Sequence, residues 1–424
     1  MSRLGLIIGI DYTDKYCQAC FYSHRHNRPE SISTGEETLR YLFPTALCFN
    51  EETKSWEIGK NAVDYAEKNN AILFKDLMEK AVENEVCYIN EFEYTYTQLI
   101  AVFLGKLIEH IQIVTAVMTI ENVTVNMRNI DYQKKKIMLD AFEHLKISKS
   151  KVKLQTCSES YAYYVLNENP EFWRDGSLLF DFSEAGFFQK ELNVTQQNGE
   201  TFIYVTENDW SDEFTIKNLG GYNGPGLMDG KLLLMYDDII SQGLVSSVFL
   251  TGQGFEDIWF KNTLQEISDT TRIFRGNILY AKGACLAGYR RAFSDEDDYK
   301  IVCEGRTTVD ISTTIRVQGI EMLVNLSKAA VDWFDAEFVN EFILEDTQTI
   351  TFYIRSIFSR QRTSVEFELE NFPKRPAKAT RVEVEIRYES PTECVIAVRD
   401  LGFGDFYPSS NNSVVKSINL EGFI

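Results

Sequence analysis

Histidine is scarce in this 424-residue chain, at four copies, and proline and cysteine number eight each. With so few histidines and no nucleophile elbow, nothing frames a hydrolase triad. The cysteines scatter without a disulfide framework, which fits a reducing cytoplasm. Cys17-Gln18-Ala19-Cys20 is a single CxxC with no second pair and no paired histidines, on a predicted strand where residues three apart point to opposite faces. Its sulfurs are therefore expected to be structural thiols. Basic residues are also short, 43 against 63 acidic, for a net charge of -20. With no local basic stripe, that balance argues against a nucleic-acid partner. Long uncharged apolar runs are missing too. In Gln98 to Ile120, Lys106, Glu109, His110 and Gln112 recur at helical spacing, which predicts an amphipathic core helix running into a strand and not a membrane span. The N-terminal apolar run is about seven residues with no small-residue cleavage pattern after it, so a strand is expected there instead of a signal peptide.

What is present is a chain that is 44% apolar, enough for two or three globular domains with full cores. One pattern occurs twice. Leu4-Gly5-Leu6-Ile7-Ile8-Gly9-Ile10 ends in Asp11 and turns at Tyr12 to Lys15, and Ser177-Leu178-Leu179-Phe180 ends in Asp181 and turns at Phe182 to Gly186. Apolar runs of this length read as buried strands, and a carboxylate at the end of each must face water, a metal or a ligand. A cleft between two halves satisfies both.

These two strand-Asp-hairpins resemble those of the actin, hexokinase and DnaK-type heat-shock chaperone superfamily, in which they grip the phosphates of ATP. Three more segments follow in that family's order. Ser158-Glu159-Ser160-Tyr161-Ala162 is similar to its first connecting segment, Leu250-Thr251-Gly252-Gln253-Gly254-Phe255 to its adenosine loop, and Ala281-Lys282-Gly283-Ala284 to its second connecting helix. The resemblance implies an α/β actin-like ATPase fold of two ribonuclease-H-like lobes over residues 1–293. An insertion is expected at about 23–95 and a trimmed second-lobe subdomain at about 195–245.

Strand and helix alternate through this region as in a parallel α/β layer: a helix Tyr96 to Ile111, a strand Val123 to Met127, a helix Asp131 to Leu145 capped by Asp131, and a strand Val152 to Gln155. The charged run Ser294 to Asp298 reads as the start of a solvated linker covering 294–305. Beyond it the period changes to two, with Val365, Phe367 and Leu369, then Val382, Val384 and Ile386, each set alternating with polar residues. That is the mark of antiparallel sheets. Over 306–424 the chain resembles the β-sandwich substrate domain of the DnaK-type chaperones, in Thr313 to Leu323 and in Glu368 to Pro373. No helical lid segment follows, and the linker lacks the leucine-rich strand of those chaperones.

The resemblance implies Mg-ATP or Mg-ADP as cofactor. Asp11, Glu159 and Asp181 would be the catalytic carboxylates, with Asp11 and Asp181 holding the metal through water. Thr13, Lys15, Lys60, Gly186, Gly252, Gly254 and Gly283 would line the nucleotide. The phosphate turns depart from the pattern, however. Glycines are replaced, and Asp14 and Glu184 bring carboxylates where backbone N–H groups should approach phosphate. Like charges about 4 Å apart cost about 4 kcal/mol at an effective dielectric near 20, or about three decades of affinity. The family's catalytic lysine falls at Val63, with Lys60 one turn earlier, and its adenine-stacking arginine at Glu256. The expectation is a chaperone-like protein that captures an extended polypeptide or a dedicated protein partner on its sandwich, with a weakened or inactive nucleotide site and hydrolysis slow or absent. An active Mg-ATPase chaperone and an actin-like scaffold are the alternatives.

Overall fold

The computed structural model describes residues 5–35, 40–197, 199–221, 223–294, 299–345, 348–358 and 362–423. They form two compact units, Met1–Cys303 and Glu304–Ile424. The first is mixed α/β and the second is built of antiparallel sheets.

The first unit opens with β1 (Leu6–Tyr12), β2 (Tyr16–Ser23) and β3 (Arg28–Ser31). Within the stretch expected as an insertion, after β3, come β4 (Phe43–Pro44), β5 (Leu47–Asn50), β6 (Ser55–Ile58), α1 (Gly59–Asn69), β7 (Leu73–Phe74), α2 (Leu77–Val82) and the hairpin β8 (Val86–Ile89) and β9 (Phe92–Thr95). Next come α3 (Tyr96–Thr115), β10 (Ile120–Asn126), α4 (Tyr132–His144), β11 (Val152–Gln155) and α5 (Cys157–Val165). Local chemistry sets several of these bounds. Thr95 and Gln98 form a capping box at the start of α3, Asp131 caps α4 by accepting from the Lys134 N–H at 2.8 Å, and Thr156 and Glu159 form a second capping box on α5. Among the described helices α3 alone is long and apolar enough to cross a membrane; in the fold, residues such as Leu99, Phe103 and Leu107 are buried and it packs on α4.

The same scheme then recurs: β12 (Ser177–Ser183), β13 (Gly186–Gln197), β14 (Glu200–Asp209), α6 (Gly224–Gln242), β15 (Ser247–Thr251), α7 (Lys261–Thr270), β16 (Arg272–Arg275), α8 (Leu279–Phe293) and β17 (Tyr299–Val302). The first sheet has the order β11-β10-β1-β2-β3, with β4 also pairing β2, and the second has the order β16-β15-β12-β13-β14-β17. In each, an antiparallel meander of three strands is extended on one side by two parallel strands. The part expected as a linker needs correction. Residues 295–298 lie outside the described set, but Tyr299–Val302 is a strand paired in parallel with β14, because Ile301 and Val302 carry enough apolar surface to finish the sheet edge.

Helices α5 and α8 pack on each other, α8 against β1, β2 and β10, and α5 against β14, so the crossed pair lies between the two sheets. Ile7, Cys20, Ala281 and Cys285 share one apolar cluster there, and Leu179, Leu192, Tyr161, Ala162 and Tyr280 another. The opposite face of the second sheet, with Leu178, Phe180 and Phe182, is covered by Met228, Leu232 and Tyr236 of α6. Burial on both faces explains the unbroken apolar run of β12. All eight cysteines are free thiols, Cys17 and Cys20 among the buried ones.

The second unit contains β18 (Val309–Val317), β19 (Ile320–Ser327), β20 (Phe338–Leu344), β21 (Thr349–Ser356), β22 (Arg362–Glu368), β23 (Thr380–Ser390), β24 (Glu393–Gly402) and β25 (Ser413–Asn419). They make two four-stranded antiparallel sheets, β19-β18-β21-β22 and β20-β23-β24-β25. Alternation decides the burial: Val382, Val384, Ile386 and Tyr388 are buried, while the residues between them are more open. The loop after β24 is anchored by Asp400, fully buried, which accepts from both terminal nitrogens of Arg375 at 2.6 and 2.8 Å and from the Ser410 N–H at 2.8 Å.

Candidate functional site

Side chains alternate along a strand, so Asp11 shares a face with Ile7 and Gly9, and Asp181 with Leu179. Ile7 and Leu179 both belong to the clusters formed with α8 or α5. Both carboxylates are thereby aimed at the layer between the sheets, at the carboxyl ends of their strands. Asp11 accepts a hydrogen bond from Asn126 Nδ2 at 2.7 Å, and Asn126 Oδ1 accepts from Ser160 Oγ at 2.6 Å, which ties β1 to β10 and α5. Asp181 accepts from the Tyr280 hydroxyl at 2.8 Å and from the guanidinium of Arg128.

Arg128 stands two residues beyond β10 and reaches from the first sheet to the second. Its Cζ lies 3.9 Å from the ring centroid of Phe188, and NH1 is 3.8 Å from Glu207. Glu207 also pairs with Lys190, whose side chain is fully buried and donates to Ser158 Oγ at 2.9 Å. Three carboxylates, Asp11, Asp181 and Glu207, thus meet two fixed cations. Loss of hydration pushes the Asp11 carboxyl up to about 6, against the pull of the Asn126 hydrogen bond and the Arg128 charge, with a further push from Asp181. Burial raises Asp181 as well, opposed first by Arg128 and then by the Tyr280 hydrogen bond.

Asp11 and Asp181 lie near enough for the charge of Asp181 to act on Asp11, and the other candidates do different work. Glu159 is buried and its carboxylate accepts from the Thr156 N–H at 2.9 Å as half of the α5 capping box. Thr13 closes its own turn, donating to the Tyr16 carbonyl at 2.7 Å. Lys15 is exposed and paired with Asp76. Lys60, on α1, lines a separate cavity of about 470 Å³ with Phe43, Trp56 and His110. Asp14 accepts from the backbone N–H groups of Met78 and Glu79 at 2.8 and 3.0 Å and holds the first turn of α2. The expected glycines serve packing. A Cβ at Gly186 would meet Ser211 Oγ at 2.0 Å, at Gly254 the Phe182 ring at 2.3 Å, and at Gly283 the Ser160 carbonyl at 1.8 Å. Gly252, at φ +93°, lies so close to β12 that a Cβ would meet the Phe182 carbonyl at 2.2 Å. The backbone carbonyl of Glu256 accepts from Arg275, and its carboxylate from Asn277 at 2.9 Å.

The residues present do not fit Mg-ATP. Arg128 and Tyr280 take up Asp181, the adenosine-like loop is packed onto Phe182, and among the described residues no three His, Cys, Asp or Glu side chains are grouped to hold a metal ion. The residues that sequence reasoning missed are Asn126, Arg128, Lys190, Glu207 and Tyr280. One signal existed: Lys190 occupies an inward position of an otherwise alternating strand, where a charge needs a partner.

The fold and site define an α/β body with a repeated sheet, a buried cluster of carboxylates neutralised by its own side chains, and a β-rich unit after it. The chain belongs to a family of unknown function, DUF5716, whose C-terminal model matches residues 28–305; a second domain of unknown function, DUF8552, matches residues 306–420. No curated protein matches the chain.

Proposed function

We propose that this chain is a chaperone-like polypeptide-binding protein, with an actin-like body that has given up nucleotide turnover and a β-sandwich that takes an extended segment. The observation that carries the binding role is a groove of about 1000 Å³ in the second unit, lined from both of its sheets by residues such as Ile315, Phe342, Ile350 and Phe403. Each sheet also ends there in a strand with a single neighbour among the described residues, β19 beside β18 and β20 beside β23. Such edges offer main-chain pairing to an extended peptide while apolar pockets select side chains. The charged residues lining the groove are paired among themselves or with Arg381, Glu321 and Glu345 with Arg316, Glu345 with Lys378 and Glu341 with Arg381, so the apolar lining is what selects a segment. The repeated sheet topology, with α5 and α8 crossed between the copies, supports the actin-like reading of the first unit.

Fluorescence anisotropy of the full chain with labelled extended peptides tests this, comparing apolar with polar versions of the same length. Saturable binding is expected for the former, weakened about tenfold or more by Ile350→Glu. Absence of saturation up to about 0.1 mM protein would defeat the reading.

A further inference from the structure

We propose that Arg128 is the resident cation of the carboxylate cluster and that it keeps divalent metal ions out of it. What the C-terminal groove binds does not bear on this. The two strand-end aspartates are the groups a metal would need. One of them, Asp181, is 4% exposed, so any charge that balances it has to be brought by a neighbour. Arg128 does so from the opposite sheet. Its planar face rests on the Phe188 ring while its edge meets Asp181 and approaches Glu207. A guanidinium suits this place because it is weakly hydrated, cannot lose its proton, and presents donors in a fixed fork. Mg²⁺ needs near-octahedral oxygen ligands and keeps several of its waters. Here the donors of Tyr280 and Arg128 already use Asp181, Asn126 uses Asp11, and a dication would sit beside a fixed positive charge. Lys190 takes up Glu207, so this carboxylate is also engaged. Because Arg128 follows β10 while Asp181 and Glu207 lie on β12 and β14, the same contact also fastens the first sheet to the second.

Mn²⁺ binding to the full chain, followed by electron paramagnetic resonance, tests the proposal. The wild type is expected to show no Mn²⁺ site that Asp11→Asn removes. Arg128→Met, which keeps length and loses charge, should gain one site at least about tenfold tighter than any in the wild type, and Arg128→Lys should not. Adding Asp181→Asn to Arg128→Met should abolish the gain. A wild-type Mn²⁺ site that disappears in Asp11→Asn would overturn the proposal, as would a folded Arg128→Met, checked by circular dichroism, without a new site. If Arg128→Met does not fold, the comparison of wild type with Asp11→Asn decides by itself: no Asp11-dependent site upholds the proposal, and such a site overturns it.

Discussion

Asp11 gives the carboxylate cluster a measurable pH signature. An unfolded aspartate titrates near 3.9, whereas burial pushes Asp11 up to about 6 in the fold. Between these values the folded chain holds more protons than the unfolded one, so this carboxyl makes stability fall as pH rises from about 4 to about 6, by up to about 3 kcal/mol. Asn in its place keeps an acceptor for Asn126 and removes the titration. Asp11→Asn should therefore match the wild type in urea unfolding near pH 4 and exceed it by about 1–3 kcal/mol near pH 8. A variant less stable at the higher pH would show that attraction to Arg128 outweighs burial. Residue-scale expectation was least reliable for groups with several possible uses. Asp14 reads in sequence as a carboxylate set against phosphate, yet it caps α2, because Met78 and Glu79, more than sixty residues away, bring N–H groups to it.

Among the elements, the packing of α5 on α8 fixes where the residues of the cluster stand. Gly283 lets the helices touch, since a Cβ there would lie 1.8 Å from the Ser160 carbonyl, and Ser160 in turn orients Asn126 toward Asp11. Gly283→Ala should cost at least about 1–3 kcal/mol, read as a lowered midpoint in thermal melts, because backbone and not a flexible side chain has to move. A neutral result would mean that the helices separate freely. Element existence was legible in sequence wherever local chemistry sets it. Val152–Gln155 forms a strand with the expected ends, and Asp131 caps α4 as its side chain allows. The strand Tyr299–Val302 was hidden behind a charged run, since its partner β14 lies about a hundred residues earlier and no local pattern announces that pairing.

At the scale of the whole molecule, two compact units with separate cores should unfold as two transitions. Calorimetry of the full chain is expected to resolve both. Gly283→Ala should lower one of them, and Ile396→Ala, at a fully buried position of β24, should lower the other by an amount set by about 2–5 kcal/mol. A single transition that both variants shift together would show that the units unfold as one.

The sequence by itself determined the first strand of each repeat with its terminal aspartate, several further strands, the starts of α3 and α4 and the change from α/β to alternating β, because each depends on apolar period or on hydrogen bonds a few residues apart. Only the tertiary structure decided what those aspartates face. Arg128, Tyr280, Lys190 and Glu207 belong to no short motif, and they gather around Asp181 because α8, β10, β13 and β14 converge on it in space. A buried carboxylate has to be neutralised or hydrogen-bonded, but which of many distant cations or donors does so is fixed by packing and not by spacing along the chain.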